Sequence, residues 1–213
     1  MDFTAAELIG LLDRMGLVAF ALGGVEVGVR RKLDIFGLLV MGVVAATGGG
    51  LMRDVIIGRL PLIIERWDYI LWPIGGSAFA ILLVTLNRTL PTLLLGVAES
   101  AGLGAFSAAG ALVAIEADLA VPAVIMLAIL TATGGGLIRD LLADRVPVVL
   151  RSEVNATAAG LGGLAVWAFD PVSTGGAALL GVAVAALVRV AGVAFDLHLP
   201  RPGSGDGKQH RLL

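Results

Sequence analysis

Apolar residues run along this chain in long blocks separated by short polar stretches, and the blocks are too long for half-buried strands. A helix that crosses a bilayer needs about 20 apolar residues at ~1.5 Å rise each. Seven blocks meet that length and predict helices at Leu8–Val29, Ile35–Ile57, Tyr69–Leu86, Leu90–Ile115, Val121–Leu142, Val148–Phe169 and Gly175–Leu197. Pro61, Pro91, Pro122, Pro147 and Pro171 fall at or near block ends, where a missing N–H is tolerated. The stretch 200–213, with its Gly, Ser and charged residues, reads as a disordered tail.

Composition agrees. The 213 residues are 58% hydrophobic and 15% charged, with mean hydropathy +0.97, whereas a soluble domain carries about a quarter charged residues. The fold class expected is an all-α polytopic membrane protein with one domain over 8–197. A formal net charge of −2 gives no basic field for nucleic acid. There is no cysteine, and the two histidines, His198 and His210, lie near the C-terminus. No HExxH or GxxxxGK[ST] pattern occurs, so neither a metal centre nor a catalytic set is expected. The start, with Asp2 and Glu7, lacks the basic n-region of a cleaved signal peptide.

One stretch is written twice. Thr47-Gly48-Gly49-Gly50-Leu51-Met52-Arg53-Asp54 returns as Thr133-Gly134-Gly135-Gly136-Leu137-Ile138-Arg139-Asp140, and 133 minus 47 gives an offset of 86. The same offset pairs Arg59 with Arg145 and Pro61 with Pro147, and carries Asp13, Gly16, Ala19, Phe20 and Gly24 onto Glu99, Gly102, Ala105, Phe106 and Gly110. Within each set the acid, the glycines and the phenylalanine share one helical face. The repeat unit is therefore three helices, 8–86 and 90–169, with the helix at 175–197 outside it. An odd number of crossings inverts the second copy, and an inverted repeat places the functional path near the midplane between copies.

Basic residues in short loops set the orientation. Loops after the first, third and fifth helices, with the tail, carry Arg30, Arg31, Lys32, Arg88, Arg145, Arg151, Arg201, Lys208 and Arg211, against Arg59 and Arg66 on the other side. The N-terminus is expected outside and the C-terminus in the cytoplasm. A charge facing lipid costs at least ~2.5 kcal/mol, so Asp13, Glu99, Arg53, Asp54, Arg139 and Asp140 should face water or one another. Adjacent helical residues point about 100° apart, which favours cross-repeat pairs, Arg53 with Asp140 and Arg139 with Asp54, over simple neutralisation of neighbours. Three glycines in a row weaken a helix and predict a break that frees carbonyls for a cation and N–H groups for an anion. Thr47 and Thr133 flank these breaks, and Phe20 and Phe106 are candidate gates by dewetting. Plainer readings stand beside these. Glycines allow close helix packing, the phenylalanines are core residues, and Asp13 with Arg14 is an interfacial pair. Trp67, Tyr69 and Trp72 read as an interfacial belt, Glu26 with Arg30 and Arg31 as a solvated face, and Ala178, Gly181, Ala185 and Gly192 as a packing face.

Two copies of T-G-G-G-L-[MI]-R-D in a three-plus-three-plus-one pattern resemble the prokaryotic branch of the trimeric intracellular cation (TRIC) channels, a family also described as a glycine transporter domain or UPF0126. The resemblance covers roughly residues 8–197. It implies a homotrimer in a bacterial or archaeal inner membrane, with one K⁺ or Na⁺ path per protomer. Gly48, Gly49, Gly50, Gly134, Gly135 and Gly136 would be at the kinks of the second and fifth helices, and the Arg-Asp pairs beside the pore. Animal members use a lysine on the fifth helix in gating and phosphoinositide binding, whereas no lysine occurs here between Lys32 and Lys208. No cofactor is expected beyond a bound lipid. The alternative function is secondary transport of a small zwitterion such as glycine, with Arg53 or Arg139 on its carboxylate and Asp54 or Asp140 on its ammonium.

Overall fold

The computed structural model describes residues 4–88, 91–151 and 154–195. The expected tail and His198 lie outside them. The described residues form α1 (Ala5–Arg30), α2 (Ile35–Ile56), α3 (Leu62–Glu65), a 3₁₀ turn (Trp67–Ile70), α4 (Leu71–Thr85), α5 (Thr92–Glu116), α6 (Val121–Leu142), α7 (Val148–Arg151), α8 (Val154–Phe169) and α9 (Thr174–Ala194).

Local chemistry sets the ends. Thr4 and Glu7 form a capping box at the start of α1, Asp34 accepts from the Gly37 N–H at 2.7 Å, and Ser173 accepts from the Gly176 N–H at 3.1 Å. Helices stop at residues in the left-handed region, and the stops repeat. Lys32 (φ 57°) and Asp118 (φ 53°) lie 86 apart, as do Gly58 (φ 72°) and Asp144 (φ 49°).

Helices α1 and α5 pack against each other and are the most buried long helices. Around them α1 holds α2 and α4, while α5 holds α6, α8 and α9, and α2 crosses α6. Gly24 lies against Met41, Gly42 and Ala45 of α2; its equivalent, Gly110, lies against Leu127, Ala128 and Thr131 of α6, each partner shifted by 86. Helix α9 fills the groove on α5 and α8, where Gly104 meets Val182 and Gly162 meets Gly181 and Ala185. The equivalent groove on α1 and α4 is open, lined by Leu11, Val18, Leu22, Trp72, Gly76 and Phe79.

Two expectations are corrected. Six helical segments are long and apolar enough to cross a membrane, α1, α2, Trp67–Thr85, α5, α6 and α9. The block expected as one helix over 148–169 is instead the four-residue α7 followed by the 16-residue α8, which is shorter. The Asp140 carboxylate accepts from the Val148 N–H at 2.8 Å at the start of α7. Asp54 does the same for the Leu62 N–H at 3.1 Å, so α3 and α7 are equivalents.

The second correction concerns the glycines. Helices α2 and α6 run continuously through both triplets. The triplets lie where the two helices cross, with Gly48 facing Gly135 and Gly134 facing Gly49. A Cβ on Gly49 would collide with the Thr131 carbonyl, and one on Gly135 with the Ala45 carbonyl. Close backbone approach uses these glycines without breaking either helix.

Candidate functional site

Two small cavities open beside the crossing. The first, about 30 Å³, is walled by Asp13, Thr47, Gly50, Arg53, Asp54 and Tyr69, with Phe106 at one side. The second, about 40 Å³, is walled by Glu99, Thr133, Gly136, Arg139, Asp140 and Asn155, with Phe20 at one side. Each named residue of the first, shifted by 86, gives its counterpart in the second, once Phe106 is read as the mate of Phe20. The repeat thus extends from sequence to the walls of a site.

Phe20 and Phe106 divide the cavities. Their ring centroids are 5.3 Å apart with planes tilted by 50°, and both are buried. Glycines make the room: Gly16 sits against the Phe106 ring and Gly102 against that of Phe20. The Thr47 and Thr133 hydroxyls donate to carbonyls one turn back in their own helices, at Val43 (2.8 Å) and Ile129 (2.7 Å).

The charges form a closed set in the first cavity. Arg53, with 1% of its side chain exposed, donates from both terminal nitrogens to Asp13 at 3.0 Å each and from Nε to Asp54 Oδ1 at 2.8 Å. Bidentate geometry suits a guanidinium, and the second Asp54 oxygen is used by the Leu62 N–H. Such a group is stable only while paired.

The second cavity has more partners and looser geometry. Arg139 Nε donates to Asp140 at 2.9 Å, but its Nη1 stands 3.6 Å from Glu99. Glu99 instead accepts from Arg189 of α9 at 2.8 Å, and Asp140 accepts also from Arg145 Nε at 3.0 Å. Gly23 leaves space for the longer Glu99, since a Cβ there would lie 2.5 Å from Oε1.

The family model described as Glycine transporter matches residues 10–85 and again 96–171, two segments whose starts and ends both differ by 86. The chain is 35% identical over 200 residues to the UPF0126 inner membrane protein YadS of Escherichia coli (strain K12), covering 91% of this chain and 95% of that one. The chain belongs to this family. Among solved structures, one that addresses conductance through TRIC cation channels matches with TM-score 0.83 at 28% identity, covering 90% of this chain and 96% of that one. The TRIC trimeric intracellular cation channel orthologue from Rhodobacter sphaeroides matches with TM-score 0.80 at 34% identity, covering 89% and 98%. The UPF0126 chain described here therefore shares the TRIC fold over nearly all its length.

Of the residues expected at the site, the six charges, both threonines, both phenylalanines, Gly50 and Gly136 line the two cavities, Gly48, Gly49, Gly134 and Gly135 lie at the helix crossing, and the charges pair differently from expectation. The cross-repeat pairs are not formed: Arg53 bonds Asp13 and Asp54, while Arg139 bonds Asp140 and approaches Glu99. A long arginine folds back to its neighbour despite the 100° separation, because the aspartate is turned toward the following short helix. Asp13 and Arg14 do not form an interfacial pair. Asp13 turns inward, while Arg14 stands 3.7 Å from Asp68 and stacks over Tyr69 and Trp72. Tyr69, read as interfacial, is 4% exposed and lines the first cavity, whereas Trp67 and Trp72 are exposed. The sequence gives Asn155 and Arg189 no expected site role, although Arg189 lies inside an expected span. A lone arginine inside an apolar helix, outside the repeat, was the available signal for Arg189.

Proposed function

We propose that the protein conducts monovalent cations, chiefly K⁺, along a path within each protomer. The path enters the first cavity, passes the Phe20–Phe106 contact and leaves by the second. The observation that carries this reading is the pair of equivalent charge-walled cavities separated by two touching aromatic rings. Carboxylates at each cavity attract cations, and the rings narrow the path at an apolar point that wets on opening. The similar solved structures are of TRIC cation channels, and one is trimeric. On that support we assign this chain a homotrimeric state in an inner membrane, with membrane lipids around it. The second repeat is inverted, the first cavity faces outside and the second the cytoplasm. The protein acts without enzymatic chemistry or a resident cofactor.

Continuous helices remove one element from the mechanism: carbonyls freed at a glycine break do not coordinate the ion. The glycines instead let α2 and α6 cross closely enough to put both Arg-Asp pairs beside the path.

A second reading, transport of a zwitterion such as glycine, is favoured by the walls themselves, which carry guanidinium and carboxylate groups side by side in both cavities. The two readings separate in proteoliposomes. Dissipation of a K⁺ gradient without saturable uptake of labelled glycine supports the channel; saturable glycine uptake without K⁺ flux rejects it.

A further inference from the structure

The two halves hold the same arginine in two positions. After α2 and α6 the backbone repeats closely: the Arg59 N–H donates to the Asp54 carbonyl at 2.8 Å and the Arg145 N–H to the Asp140 carbonyl at 3.1 Å. The side chains then part. Arg145 lies on the Asp140 carboxylate. Arg59 makes no bond to the Asp54 side chain among the described residues and reaches Glu116 at the end of α5, at 3.6 Å. Beside Asp54 a wide cavity of about 650 Å³ stands open, bordered by Arg59, Glu116, Arg53 and Asp54.

The sequence explains the divergence. The position equivalent to Glu116 is Arg30, since 116 minus 86 is 30. Arg30 is paired with Glu26 and cannot attract a guanidinium. Arg59 is thus drawn from its aspartate, whereas nothing at the equivalent position draws Arg145.

Charge gives the divergence a consequence. The second cavity's walls carry Glu99 and Asp140 against Arg139 and Arg189, which balance. Arg145 on Asp140 adds a positive charge at the carboxylate a passing cation would use. The first cavity carries Asp13 and Asp54 against Arg53 alone. We propose that Arg145 is a gate residue that closes the second cavity to cations by docking on Asp140, and that Arg59, held by Glu116, is the same gate in its open position. The proposal rests on the cation-path reading, but its test does not require flux.

The chain lacks cysteine, so Thr47→Cys and Thr133→Cys each introduce a unique thiol in one cavity wall. A cationic, membrane-impermeant thiol reagent is added to proteoliposomes from each side in turn. The thiol at position 47 should react at least about tenfold faster than that at position 133, each from its own side, because a charge at a narrow entrance shifts encounter rates by that order or more. Arg145→Gln should raise the rate at position 133 about tenfold, more for the cationic reagent than for a neutral one, and leave position 47 unchanged. Arg30→Glu should do the same while keeping Arg145 and Asp140 intact, so the proposal does not depend on one variant folding. Glu116→Gln should slow reaction at position 47. Unchanged rates at position 133 in both Arg145→Gln and Arg30→Glu would overturn the gate, as would equal acceleration at both positions. Shifts in accessibility with no K⁺ flux in any variant would leave the gate standing and remove the cation path; K⁺ flux without the shifts would do the reverse.

Discussion

The two halves share one scaffold and differ in how tightly they hold their charges. In the first, one buried guanidinium saturates two aspartates. In the second, three arginines, Arg139, Arg145 and Arg189, share Glu99 and Asp140, with one pairing stretched to 3.6 Å. The first is an ion cluster that cannot lose a member, while the second has spare positive charge. The aspartate that caps the next short helix keeps its geometry in both halves, and the differences at 13/99, 69/155 and 30/116, with Arg189 added from outside the repeat, give the two halves different ion pairings.

Four experiments measure how far the halves differ. The largest effect should be common to both halves, because both depend on one crossing. Gly49→Leu and Gly135→Leu each drive a side chain into a facing carbonyl, and overpacking a core costs about 1–3 kcal/mol or more even where no backbone is struck. Neither variant should give a monodisperse peak on size-exclusion in detergent.

Next, the halves should separate. Arg53→Gln strands two buried carboxylates and should cost about 3–5 kcal/mol. Arg139→Gln leaves Arg145 on Asp140 and Arg189 on Glu99 and should cost clearly less. Thermal unfolding in detergent reads the difference; equal losses would mean that the extra arginines do not compensate.

The third effect is on flux. Glu99→Gln should lower K⁺ flux by about threefold at low ionic strength, and the loss should fade above 1 M salt as screening shortens to ~3 Å. A loss independent of salt would mark this acid as structural.

The smallest effect contrasts one glycine pair. A Cβ at Gly96 meets nothing within 4 Å, whereas at the equivalent Gly10 it would lie 3.1 Å from the Tyr69 hydroxyl. Gly96→Ala should be neutral or stabilise by about 0.5–1 kcal/mol, and Gly10→Ala should fall below it in the same unfolding assay.

Much of this arrangement was legible in the sequence, because hydropathy reports helices and a fixed offset reports a repeat. The offset of 86 carries Asp13, Thr47, Gly50, Arg53 and Asp54 of one cavity onto Glu99, Thr133, Gly136, Arg139 and Asp140 of the other. What was not legible depended on how helices pack. The cost of a glycine triplet suggests a break only while the neighbouring helix is unknown; once α6 lies within backbone contact of α2, the triplet is the condition for packing. The partner of Arg53 could not be read from the motif, because Asp13 reaches it only through the register of α1 on α2. Arg189 escaped notice because α9 has no counterpart to flag it.

In the proposed function the two cavities are one path interrupted at the Phe20–Phe106 contact. Single-channel recording of the Phe20→Ala/Phe106→Ala double variant in planar bilayers, beside the parent chain, tests it most directly. Removing both rings should raise the unitary K⁺ conductance or the open fraction while keeping discrete current steps. Unitary conductance and open fraction identical to the parent, in a protein that remains folded, would show that ions do not pass between these rings.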